Sequence, residues 1–159
     1  MSAPGAGVLL LALLGTGLEG QEAATAEYPE EYRSWVHTKS MIVQEGHFLY
    51  PQFGGIHHIY ANPKAFAALT GRKPFPDGSV LVLDVLEARS EVRAILEGAR
   101  RRVLVMEKDA KRFSRTGGWG YESFTGDTRE RTVSDGGARC HACHRARKSR
   151  GYVLHDWRP

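Results

Sequence analysis

Ser79-Val80-Leu81-Val82-Leu83-Asp84-Val85-Leu86 is the stretch on which the fold class turns. It is rich in valine and leucine and carries neither glycine nor proline, which suits a pleated, packed element and predicts a central strand. Phe75-Pro76-Asp77-Gly78 stands immediately before it, and this is turn chemistry: proline presets one backbone angle and glycine tolerates a left-handed one. Downstream, a charged segment ends in Arg100-Arg101-Arg102, and Val103-Leu104-Val105-Met106-Glu107 then predicts another strand. Asp109 is placed to cap a short helical turn through Phe113. After the Gly117-Gly118 break, Trp119-Gly120-Tyr121-Glu122-Ser123-Phe124 alternates in the manner of a strand with one face buried. Residues 126–137 are polar and loop-like.

Upstream, Gly55-Ile56-His57-His58-Ile59-Tyr60 predicts a short strand, and Asn62-Pro63 offers a helix N-cap and first-turn proline for a helix to about Leu69. Pro29 with Glu30 and Glu31, followed by Tyr32, Trp35 and Val36 at helical spacing, predicts a further helix from about Pro29 to Met41. Short connections between strands, with helices mostly towards the ends, favour an α+β fold: a mainly antiparallel sheet packed with a few helices.

The chain has 159 residues, 42% hydrophobic and 25% charged, which fits one globular domain and excludes a disordered chain or a multi-span membrane protein. A net charge of +4 permits an acidic partner without indicating one. Gly7 to Leu18 is an apolar run of signal-peptide length, too short to span a bilayer, and Ala24-Thr25-Ala26 offers a cleavage triplet. The amino-terminal flank lacks the usual Lys or Arg. The alternative, a buried helix, is interrupted by Gly15, Gly17 and Gly20. The expected organisation is a signal peptide over residues 1–26 and a single exported, periplasmic domain over 27–159. For an exported chain, the Arg100 to Arg102 run reads as a loop charge cluster and no nucleic-acid partner is expected.

Both cysteines fall in Cys140-His141-Ala142-Cys143-His144, the C-x-x-C-H arrangement for covalent attachment of haem c. Each thiol can form a thioether with one haem vinyl group, and His144 then follows as the proximal iron ligand. The competing readings are a redox C-x-x-C, a zinc site and a plain disulfide. A redox motif normally follows the first strand of a βαβ unit, and no second C-x-x-C completes a zinc ribbon. Because the motif lies late and none of the residues after His144 is Met, the opposite side of the haem is expected to be covered by upstream strands. Met41, Met106, His57, His58, His37 and His47 are the potential sixth ligands. His57 and His58 must point to opposite sheet faces, so at most one of them can reach the iron.

Taken together, Tyr-Pro-Glu-Glu-Tyr-Arg-Ser-Trp (28–35), Phe-Gly-Gly-Ile-His-His-Ile-Tyr-Ala-Asn (53–62), Phe-Pro-Asp-Gly-Ser-Val (75–80), Lys-Asp-Ala-Lys-Arg-Phe (108–113), Gly-Gly-Trp-Gly-Tyr (117–121) and the Cys140 to His144 motif resemble the cytochrome P-460 family. The resemblance implies an exported homodimer, mainly antiparallel β, with one covalent haem c. It also implies one of two functions: hydroxylamine oxidation on a haem cross-linked to lysine, or, in the cytochrome c′-beta branch, binding of nitric oxide or other small gases at five-coordinate iron. By that resemblance Leu83 stands at the cross-linking lysine's position, His57 where the enzymes carry an arginine, and Leu104 where they carry a carboxylate.

The reading that follows is the cytochrome c′-beta branch: a gas-binding haem protein with nitric oxide, and carbon monoxide as a further ligand, against a distal pocket of Phe53, His57 and Leu83, with Leu81 nearby. Phe53 and Leu83 can equally serve as plain core. The alternatives are a hydroxylamine-oxidising enzyme, for which Glu122 is the remaining candidate acid or base, and an electron-transfer cytochrome with a redox partner protein. Arg145, Arg147, Lys148 and Arg150 read as a solvated face, as partners for haem propionates or as a docking patch for an acidic redox protein.

Overall fold

Five strands form one antiparallel sheet in the order of the chain, β1-β2-β3-β4-β5, in the computed structural model, which describes residues 25–158. They are β1 (Val36–Val43), β2 (Gly55–Ala61), β3 (Val80–Glu91), β4 (Ala94–Lys108) and β5 (Trp119–Thr125). Among the described residues three α-helices accompany them: α1 (Tyr50–Phe53), α2 (Pro63–Gly71) and α3 (Ala138–His144). The α+β class expected from the sequence is the one observed, and Val80 to Leu86 of the opening stretch lie in the central strand β3. The apolar run Gly7 to Leu18 lies outside the described residues.

The expected helix from Pro29 to Met41 is not formed. Only Tyr32–Ser34 makes a single 3-10 turn, and Trp35 is already extended, leading into the edge strand β1. Val36, Thr38, Ile42 and Val43 are β-branched, and the free edge of β2 gives their backbone groups partners that an isolated helix would lack. A bulge between His37 and Lys39 breaks the alternation, which hides the strand from a period-two reading.

The Arg100 to Arg102 run is likewise not a loop. It belongs to β4, which pairs with β3 from Val80↔Glu107 out to Glu91↔Ala94. The outer part of this hairpin is exposed on both sides, so its charged residues disguise an element held by its backbone ladder. Asn62 caps α2 as expected, its side-chain oxygen accepting a hydrogen bond from the Ala65 N–H at 2.9 Å.

The register sorts the side chains into two layers. On one face Tyr60, Val82, Val103, Val105 and Phe124 form a core covered by the amino-terminal segment, including Ala26, Tyr28 and Tyr32. The same face holds the fully buried Asp84, which accepts hydrogen bonds from the Tyr32 hydroxyl (2.8 Å), Arg33 (3.0 Å) and Arg100 (2.8 Å). Three donors offset the cost of burying that charge. On the other face Ala61, Leu81, Trp119 and Tyr121 pack with Ala65 of α2 and Val153. Burying one such large side chain contributes about 2 kcal/mol. Both faces of β5 are therefore covered, where the sequence pattern predicts one, because α3 and the carboxy-terminal segment close the second.

Candidate functional site

The C-x-x-C-H motif occupies most of α3, and the helix is set against the sheet by Gly137 at its start. Gly137 has φ +83°, and a Cβ there would stand 3.0 Å from Tyr121, so both backbone conformation and space call for glycine. The Asp135 carboxylate accepts hydrogen bonds from the N–H groups of Gly137 (3.0 Å) and Arg139 (3.2 Å), anchoring the first turn. Cys140 and Cys143 are three residues apart and so share one helix face. Both thiols are free; Cys140 is half-buried against the Trp119 and Tyr121 layer, and Cys143 is exposed. The plain-disulfide reading is thus not what the structure contains.

His144 ends the helix with its ring oriented. Its Nδ1 lies 2.8 Å from the carbonyl oxygen of Tyr152, and its ring centroid is 5.2 Å from that of Tyr121. A carbonyl only accepts, so Nδ1 carries the proton and the lone pair is left on Nε2. Burial pushes the His144 pKa below its usual value, opposed by the Tyr152 hydrogen bond and assisted by His141. The neutral tautomer that a metal takes is therefore the one prepared here.

Facing α3 are the residues that the register puts on the same side as Tyr121. His57, Ile59 and Ala61 of β2 pair with Val85, Leu83 and Leu81 of β3. These continue to Arg102, Leu104 and Met106 of β4, and then to Thr125, Ser123 and Tyr121 of β5. Ile59, Leu83, Leu104 and Met106 are only half-buried, an apolar strip in the middle of an otherwise covered face. The Tyr121 hydroxyl and Ser123 Oγ are buried without a hydrogen-bond partner. Half-covered apolar side chains and unpaired buried hydroxyls, on the sheet face where α3 brings two free thiols and an oriented imidazole against Tyr121, are a donor set and a wall that fit a haem attached through C-x-x-C-H.

Of the expected distal residues, Phe53 and His57 lie together at one end of this strip, and Leu83 lies in its middle. His57 is buried and donates from Nε2 to the carbonyl oxygen of Phe53 at 2.6 Å. Phe53, half-buried at the end of α1, carries the Arg102 guanidinium 5.8 Å from its ring centre. Burial depresses the His57 pKa, partly countered by the Phe53 carbonyl. Of the six potential sixth ligands, Met41, His57 and Met106 share this face. His58 instead bonds Ser40 and Glu97 on the opposite face, His37 bonds Ser40, and His47 is exposed in a loop.

Glu122, the candidate acid or base, points away. It is fully buried on the opposite face, its Oε2 3.0 Å from Arg131 and its Oε1 accepting from the N–H groups of Ser123 and Val133. Strand alternation decides this: Tyr121 and Ser123 face α3, so Glu122 cannot. Tyr152 was not identifiable from the sequence, because it acts through its backbone carbonyl, whereas Tyr121 and Ser123 follow from the alternation of β5. Among the basic residues after the motif, Arg147 and Arg150 pair with Asp156, and Arg145 and Lys148 are exposed.

The family model described as Cytochrome P460 matches residues 29–155. No curated protein matches the chain.

Proposed function

Since the chain belongs to the cytochrome P460 family, which implies a c-type haem protein, we propose that it is a gas-binding member of the cytochrome c′-beta kind, exported to the periplasm and acting as a homodimer. In this reading Cys140 and Cys143 hold one haem c through thioethers, and His144 Nε2 is its proximal ligand. Cys140, Cys143 and His144 would hold the haem, and the chemistry it would supply is an iron able to bind a small molecule such as nitric oxide.

The protein's part is to orient and to exclude. The Tyr152 carbonyl fixes the His144 ring and makes its Nε2 more basic. Leu83, with Ile59 and Leu104, keeps the facing wall apolar, while Phe53 and the Phe53-bonded His57 close its far end. The observation that carries the proposal is the disposition of acids: among the described residues the two fully buried carboxylates, Asp84 and Glu122, both face the opposite side of the sheet and are already held by arginines. General acid/base work on hydroxylamine needs a proton-transferring group within hydrogen-bond reach of the substrate, and an apolar strip favours a small uncharged ligand instead.

The test is an absorption titration of the purified ferrous protein with nitric oxide, then carbon monoxide, alongside steady-state turnover of hydroxylamine with an electron acceptor. A high-spin spectrum that changes on gas addition, without hydroxylamine turnover, is expected. Turnover would move the function to hydroxylamine oxidation, and a sharp low-spin spectrum indifferent to both gases would move it to electron transfer.

A further inference from the structure

Between the end of α2 and the segment that follows α3 lies a groove of about 780 Å³. Arg72 and Lys73 line one rim and Lys148 and Arg150 the other, over a floor that includes Leu69, Phe75, Val153 and Trp157. Arg72 ends α2 in a left-handed conformation (φ 51°), turning the chain so that both rim cations follow the helix terminus. Asp156 is the one carboxylate of the lining and is already engaged by Arg147 and Arg150. Among the described residues, Arg72, Lys73 and Lys148 have no carboxylate within ion-pair distance.

We propose that this groove binds a small organic anion with two or more negative charges and a flat apolar part. Exposed cations along both rims attract the charges, and a concave apolar floor of this size receives a ring-sized body, whereas docking of a whole protein favours a flatter patch. The rim is also linked to the haem site, a connection that rests on His144 as the proximal ligand. Lys148 to Gly151 runs directly into Tyr152, whose carbonyl holds His144 Nδ1. An anion drawing Lys148 and Arg150 inward moves that carbonyl and changes the basicity of the ligating nitrogen.

Calorimetric titration of the full haem-containing protein with naphthalene disulfonate, with sulfate and polyglutamate as comparisons, tests the binding. Resonance Raman measurement of the iron–histidine stretch at saturation tests the link. Binding of the disulfonate should weaken about tenfold or more in the double variant Arg72→Glu, Lys148→Glu, and also in Trp157→Ala, with circular dichroism unchanged. The stretch should shift on saturation of the unaltered protein and not in the double variant. Equal binding in the double variant, or preference for polyglutamate over the disulfonate, would overturn the groove's assignment to a small anion. Binding with no shift in the stretch would overturn the link. Should the protein carry no haem, the calorimetry still reads the groove, so the two proposals fail separately.

Discussion

His144 Nδ1 lies 2.8 Å from the carbonyl oxygen of Tyr152, eight residues further along the chain. Tyr152 reaches that position with a left-handed backbone (φ 68°), and Gly117, itself at φ +68°, leaves the room its ring occupies. The orientation of the candidate iron ligand therefore depends on a glycine in the turn just before β5.

A Cβ at Gly117 would stand 2.5 Å from Tyr152 Cζ. Gly117→Ala is expected to lower stability by about 1–3 kcal/mol, since it adds a strained φ to a displaced ring. Urea unfolding measures the loss, and the iron–histidine stretch of the same variant should broaden as the carbonyl clamp loosens.

Glu122 separates a structural carboxylate from a chemical one. Glu122→Gln should cost roughly 1–3 kcal/mol, because Arg131 is left facing a neutral group and one amide hydrogen sits where an acceptor is needed. Gas affinity and the haem spectrum should stay as they are. A change in ligand binding without loss of stability would place Glu122 in the chemistry after all.

His155 gives the fold a pH dependence of definite sign. Burial, with Lys39 nearby and Asp156 opposing, depresses its pKa from 6.5 to about 4, and its Nε2 lies 3.1 Å from Thr38 Oγ1. Between those two values the unfolded chain takes up a proton that the folded chain does not, so the stabilisation present above pH 6.5 is lost as the pH falls towards 4. The loss is on the order of 3 kcal/mol. Thermal unfolding across that range should show the slope in the unaltered protein and a flatter profile in His155→Gln.

Leu83 is half-buried in the middle of the apolar strip, paired with Ile59 and Leu104. Leu83→Gln should leave the fold nearly intact, as the glutamine has a similar volume and part of the side chain is already accessible. Its amide would bring water to the wall, and the carbon monoxide affinity of the ferrous protein should fall by about tenfold. An unchanged affinity would remove Leu83 from the pocket and return it to plain core.

The sequence alone determined the central strand, the Asn62 cap, the α+β class and the five-residue motif of Cys140 to His144. Each is governed by neighbours within a few positions, where turn chemistry, capping and ligand spacing are local rules. It also determined that His57 and His58 cannot act together, since alternation along a strand is local as well. The tertiary structure decided the rest. β1 is a strand only because the edge of β2 satisfies its backbone, against a local pattern that suits a helix. The arginine run from Arg100 to Arg102 belongs to β4 because the hairpin with β3 carries it past the core. Whether Glu122 or Tyr121 faces α3, and that the Tyr152 carbonyl meets His144, depend on strand register and on a helix docked from far along the chain. Those contacts join residues that no local preference brings together.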